Sequence, residues 1–272
     1  MDEKLLILAI AVTASGCIHS SVEDPASIKK PGTGSSSASG DLKVETFRVS
    51  DSTLSPGQNG IITVNLKNYH KSPVSIKQIS LYNTGVLEVE KLGCSPEQIK
   101  QATEGFRPGM ECRWRVSMPS REQGAFESRT IPVKLNLVYT AELSNSGSPI
   151  KVHVKPLEEI DRVSEVRKSF SNGEVKMKVE TESHVPVQGT RTVEITASNV
   201  GPGRVDGGYT FDYTPSTLLS DCPAEPEPVV QQKVTFSCDL KGDSEATRNL
   251  VFSTSYKYVK APTLDIEVVT KG

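Results

Sequence analysis

The sequence lacks any apolar run long enough to cross a bilayer. Its N-terminal stretch Leu5-Leu6-Ile7-Leu8-Ala9-Ile10-Ala11-Val12 falls short of the roughly 20 residues a transmembrane helix needs. It also lacks an excess of positive charge. With 31 Lys and Arg against 33 Asp and Glu, the formal net charge is −2, which removes the footprint of a nucleic-acid binder, whose affinity rests on neutralising phosphates. Histidine is scarce. His19, His70, His153 and His184 are scattered, with no H-E-x-x-H and no paired metal-ligand spacing. There is no G-x-S-x-G elbow, no phosphate-gripping glycine loop and no dinucleotide fingerprint, so neither a catalytic set nor a cofactor site is expected. No N-x-S/T acceptor occurs, so glycan shielding has no attachment point. The pairs Glu158-Glu159 and Glu225-x-Glu227 read as solvated charge in linker and loop. Asp206 and Asp212 flank a Gly-rich turn and supply the oxygen ligands calcium takes, but ordinary surface charge is the simpler reading and no metal is expected.

What the chain does have is a telling set of five cysteines: Cys17, Cys94, Cys112, Cys222 and Cys238. Two fall in each half and one follows the apolar N-terminus. Two pairs and a singleton suit an oxidising compartment, each pair closing a short loop. Such a loop stabilises by roughly 3 kcal/mol in the chain-entropy model. Four reduced thiols in a cytosolic protein is the competing reading, and a zinc site is disfavoured because no C-x-x-C knuckle is present.

The apolar stretch is followed by Thr13-Ala14-Ser15-Gly16-Cys17. An apolar core ending in small residues reads as a secretory signal, and Ala14-Ser15-Gly16-Cys17 resembles a lipobox. The resemblance implies cleavage before Cys17, acylation of that cysteine and attachment to the extracellular face of the cell membrane. Position 14 departs from the usual Leu, and Met1-Asp2-Glu3-Lys4 is acidic where positive charge is the norm. Cleavage without lipid is the alternative. Residues 17–40, with Pro31-Gly32-Thr33-Gly34-Ser35-Ser36-Ser37-Ala38-Ser39-Gly40, have the composition of a flexible tether.

From residue 41 apolar residues fall on every second position, as in Ile62-Thr63-Val64-Asn65-Leu66 and Ile131-Pro132-Val133-Lys134-Leu135-Asn136-Leu137. That period puts one face of a strand on a core and the other in water. Pro132 implies an edge or a bulge. Many short strands separated by turn signals predict an all-β fold of antiparallel sandwiches. The scheme repeats: Pro56-Gly57-Gln58 before Ile62-x-Val64-x-Leu66-x-Asn68 matches Pro186-Val187-Gln188 before Val193-x-Ile195-x-Ala197-x-Asn199, and the cysteines keep step. The economical reading is two tandem domains, at 41–155 and 173–272, after a signal segment at 1–16 and a tether at 17–40.

These motifs, with the Gly201-Pro202-Gly203 turn and the tyrosine-bearing Phe252–Tyr258 segment, resemble extracellular immunoglobulin-like modules of the CARDB and NEW3 type from archaea and bacteria. The resemblance implies a lipid-anchored surface protein with a protein or glycan partner. Two stretches break the pattern. Ser95-Pro96-Glu97-Gln98 carries the signature of a helix start, which predicts a short helix over 95–102. Leu157, Ile160, Val163, Val166 and Phe170 recur at threes and fours, so the linker 156–172 is either helical over 157–168 or bent β structure. Trp114 is expected to pack beside the first bridge, and Tyr69, Tyr82 and Tyr209 lie near turns that could meet a partner. The expected function is non-enzymatic: adhesion, envelope structure or display. The alternative is an accessory subunit presenting a solute, glycan or protein to a transporter or surface enzyme.

Overall fold

The computed structural model describes residues 40–120, 128–222 and 232–269. The signal segment and the tether up to residue 39, Cys17 and His19 included, lie outside the described residues, as do Glu225 and Glu227. Within the described residues the strands, in chain order, are β1 Leu42–Val49, β2 Thr53–Leu54, β3 Asn59–Asn68, β4 Ser75–Tyr82, β5 Glu88–Ser95, β6 Gly109–Ser117, β7 Ser128–Ser144 and β8 Ile150–Lys155. They continue with β9 Glu165–Ser171, β10 Val175–Glu182, β11 His184–Pro186, β12 Thr190–Asn199, β13 Arg204–Thr214, β14 Leu219–Ser220, β15 Lys233–Lys241, β16 Ala246–Lys260 and β17 Thr263–Val269. The all-β, antiparallel sandwich expected from the sequence is what forms.

Period-two patterning explains the layers. Gly60, Ile62, Val64, Leu66 and Asn68 point inward along β3, and Met110, Cys112, Trp114 and Val116 do so along β6. These strands belong to a four-stranded sheet, β1-β3-β6-β5. In the second half β14-β15-β12-β10-β9 form a five-stranded sheet, with Val175, Met177 and Val179 inward on β10. The third sheet runs β11-β8-β16-β7-β17-β2, with β13 also paired to β16 and β4 to β7. The inward faces of all three meet in one connected core.

That third sheet corrects the expected domain division. β16, from the second half, pairs with both β7 and β8 of the first. β17, near the C-terminal end, pairs with β7 through Thr263↔Lys134 to Val269↔Ser128. A boundary near 155 to 173 therefore does not separate the sheets, because the backbone groups along β7 are satisfied by strands from the other half.

The helix expected over 95–102 does not form, and the linker takes the β alternative. Over 95–102 the backbone is claimed by tertiary partners: Ile99 bridges Val74, Asn68 Nδ2 donates to the Lys100 carbonyl at 2.8 Å, and the Ala102 N–H donates to the His70 carbonyl at 2.9 Å. In the linker only Leu157–Glu159 forms a single 3-10 turn, and β9 then pairs with β10 as an edge strand. Val166 and Phe170 pack against the core on alternate positions, while Leu157 and Val163 are exposed. A spacing of four fits both periods, and here pairing decided. Pro132 lies beyond the last β4–β7 pair, Tyr82↔Lys134, so that flank of β7 is locally an edge, where its carbonyl accepts from Asn83 Nδ2 at 2.8 Å.

Candidate functional site

Cys94 and Cys112 sit opposite each other on β5 and β6 and are bonded. Cys222 and Cys238 form the second bridge. Trp114 is buried on the same inward face of β6 as Cys112. The repeated asparagines also correspond atom for atom. Asn68 Oδ1 accepts from the His70 N–H at 2.9 Å, and Asn199 Oδ1 accepts from the Gly201 N–H at 3.2 Å. Each Nδ2 donates to the carbonyl four residues on, of Ser72 at 3.4 Å and of Gly203 at 2.7 Å. Each asparagine thus ends its strand by capping the turn that follows.

Between these two turns lies a dense buried polar seam. Its centre is Glu174, wholly buried just before β10. The Asn172-Gly173 turn holds it there: Asn172 Oδ1 accepts from the N–H groups of Glu174 and Val175 at 3.2 and 3.0 Å. The Glu174 carbonyl accepts from Val200 and Gly201. Its carboxylate gathers donors from both halves of the chain. Oε1 meets Lys260 Nζ at 3.1 Å, the Leu42 N–H at 3.2 Å and the Tyr139 hydroxyl. Oε2 accepts from the Tyr256 hydroxyl at 3.2 Å and lies 3.3 Å from His70 Nε2, off the line of a good hydrogen bond. Lys260 Nζ also reaches Asp41 Oδ2 at 3.4 Å and donates to the Leu42 carbonyl. Tyr139 and Tyr258 are directly opposed on β7 and β16, and Lys260 Nζ stands over their rings at 5.9 and 5.8 Å.

Burial pushes the Glu174 carboxyl up, but the close approach of the His70 ring, the Lys260 charge and the Tyr139 hydroxyl together outweigh it and hold the group below its usual range. Burial and the neighbouring Glu174 charge drive the Tyr139, Tyr256 and Tyr258 hydroxyls well above theirs, so all three are neutral donors at ordinary pH. Burial alone raises Tyr209 to about 12. A carboxyl depressed in the folded state contributes stability that is present above its unfolded value, about 4.3. That contribution is lost as pH falls through the lower folded value, because the unfolded chain binds the proton first. Urea unfolding is expected to show a stability loss below about pH 4 whose slope shrinks in Glu174→Gln.

The seam also depends on glycine. A Cβ on Gly201 would press on the Tyr258 hydroxyl and on the Glu174 Cα at 3.0 Å, and one on Gly203 would meet the Val259 carbonyl and the Tyr258 ring. Gly201→Ala is expected to cost about 1–3 kcal/mol by overpacking, measured by urea denaturation.

Asp41 and Lys260, at the outer end of the seam, also line an open cavity of about 600 Å³ with apolar walls from Val44, Val259 and Pro262. Lys43 and Arg204 are also among its lining residues, so three basic side chains and one carboxylate border it.

Other expected positions fall elsewhere. His70, read as a surface or strand-end residue, is a buried member of the seam. Tyr209 is fully buried on β13 and cannot meet a partner. Tyr82 is 43% exposed; Tyr69 is half-buried with Lys43 over its ring. Asp206 is engaged by Lys257 Nζ at 2.6 Å and Asp212 by the Tyr213 N–H. No group of three or more His, Cys, Asp or Glu side chains able to hold a metal occurs among the described residues. Glu174 and Lys260 were not singled out from sequence; the available signal was the tyrosines of Phe252–Tyr258, whose hydroxyls need partners once buried.

No family model and no curated protein matches the chain. Among solved structures, a secreted serine protease, VesC from Vibrio cholerae, is similar with a TM-score of 0.26 and 9% identity over 83% of this chain and 51% of that one. The chain thus spans about half of that protease. The collagen adhesin CNA from S. aureus is similar with a TM-score of 0.21 and 11% identity, over 86% of this chain and 94% of the adhesin. Likenesses this faint assign no activity.

Proposed function

We propose that this chain is a non-enzymatic cell-surface lipoprotein whose stapled β unit serves adhesion, envelope structure or display. The observation that carries the reading is the pair of disulfides, one on each half of the fold, since such bridges persist in oxidising compartments. The lipobox-like Ala14-Ser15-Gly16-Cys17 and the Gly/Ser-rich segment after it support anchoring to the extracellular membrane face through Cys17. The non-enzymatic part is supported by the seam: the Glu174 carboxylate is surrounded by the protein's own donors and buried, so that group is closed to a substrate.

Detergent phase partitioning and mass of the mature protein test the anchor. The native protein is expected in the detergent phase with a lipid-sized mass increment that Cys17→Ser abolishes. Equal partitioning of the two proteins would refute lipid attachment. The open cavity bordered by Lys43, Arg204, Lys260 and Asp41 favours a second reading, an accessory subunit that presents a ligand to a transporter or surface enzyme.

A further inference from the structure

We propose that Lys260 and Asp41 are the two ends of a self-forming amide cross-link, with Glu174 as the proton carrier. The claim stands apart from lipid attachment, because it uses only side chains of the folded unit.

Three features of the seam support it. The first is proximity. Lys260 Nζ lies 3.4 Å from Asp41 Oδ2 and 3.1 Å from Glu174 Oε1, so the amine, the carboxyl group it would attack and the proton carrier are held in mutual contact, the arrangement that gives bound groups a very high effective concentration. The second is dryness. Glu174 is wholly buried, and Lys260 and Asp41 are 8% and 9% exposed. In water an amine and a carboxylic acid remain a solvated ion pair; removed from water, both charges carry a desolvation penalty, and joining them eliminates both. The third is the surroundings. The Tyr139 and Tyr258 rings flank the amine, while Tyr139, Tyr256 and the Leu42 N–H hold the Glu174 carboxylate in place, a fixed polar frame that need not reorganise as charge moves.

The step balances without any other reagent. The Lys260 ammonium gives one proton to Glu174, and the freed Nζ lone pair attacks the Asp41 carboxyl carbon to form the C–N bond. Glu174 hands its proton to the departing Asp41 oxygen. The nitrogen's second departing proton follows by the same route, and the C–O bond breaks with release of water. One hydrogen stays on the amide nitrogen, Glu174 ends as it began, and nothing is oxidised or reduced. The cavity that Asp41 and Lys260 line gives the released water an exit. After the bond forms, Glu174 keeps His70, Tyr139 and Tyr256 as partners. The product would join the start of β1 to the end of β16, residues 219 apart in sequence.

Mass spectrometry of a tryptic digest of the reduced, denatured full chain tests this directly. The expected result is a branched peptide, lighter by one water than its two parts, in which the segment ending at Lys43 is joined through Asp41 to a segment uncleaved after Lys260. Recovery of separate peptides, with cleavage after Lys260, would overturn the proposal, as would a water loss mapped to another residue pair. Lys260→Arg is expected to abolish the branched peptide and Glu174→Gln to reduce or abolish it. Should either variant fail to fold, Asp41→Asn still decides the chemistry: ammonia leaves instead of water, and the branched peptide has the wild-type mass. An unbranched Asp41→Asn product from a folded chain would count against it.

Discussion

Ending the chain after Pro262, which removes β17, is expected to abolish the cooperative fold of the whole described unit. β17 supplies seven register pairs to β7 and buries Ile266 and Val268 completely. Full burial of such side chains is worth about 1.5–3 kcal/mol each. The deletion also opens the ladder along Ser128–Lys134 and uncovers Ile131 and Val133, and it takes away the partner of β2. The sum is comparable with the roughly 5–15 kcal/mol that keeps an ordinary domain folded. For the same reason residues 40–155 alone are expected to lack a folded spectrum, since β7 and β8 would lose β16 and β17. Near-ultraviolet circular dichroism and thermal melts of both fragments check this. A truncated chain that kept the full-length transition would show that the halves fold independently.

Glu174→Ala is expected to destabilise the protein by about 3–5 kcal/mol, the usual cost of removing one partner from a buried charged set. The loss is large because the carboxylate is shared. Without it Lys260 keeps only Asp41 and the Leu42 carbonyl, the Tyr139 and Tyr256 hydroxyls lose an acceptor, and the Leu42 N–H is left unsatisfied. Glu174→Gln preserves shape and one acceptor oxygen and is expected to lose less. Urea denaturation of the two variants measures the difference. Equal stability of Glu174→Ala and the parent would mean that the seam contributes nothing net.

Much of the fold was legible because strand alternation is a local signal. Ile62, Val64 and Leu66 on β3, and Val193, Ile195 and Ala197 on β12, announce their inward faces in sequence and are buried in the structure. The cysteine pairs and the matched Asn68 and Asn199 were legible for the same reason: each closes or caps something nearby. What could not be read was pairing between distant segments. The alternation of Thr263–Val269 shows that it is a strand, but nothing in those residues says that its partner is β7 rather than a neighbour within its own half. The seam was hidden in the same way. Glu174 follows an Asn-Gly turn and looks like solvated charge, and only the convergence of β1, β7 and β16 removes it from water. His70 stands in a polar turn sequence, Tyr69-His70-Lys71-Ser72, that gives no hint of burial. The helix signature at 95–102 failed because capping residues describe a local preference, which the donors and acceptors of Asn68, His70 and Val74 outweighed.

The placement of β17 also bears on how the molecule is made. A chain emerging from the ribosome presents β7 well before its outer neighbour exists, so the early half waits with an unsatisfied edge until the last strand has been synthesised. Long-range pairing of this kind slows folding and leaves a sticky margin open meanwhile. A polypeptide that cannot close prematurely is, by the same property, one whose β7 edge stays open to its surroundings until β17 has been made.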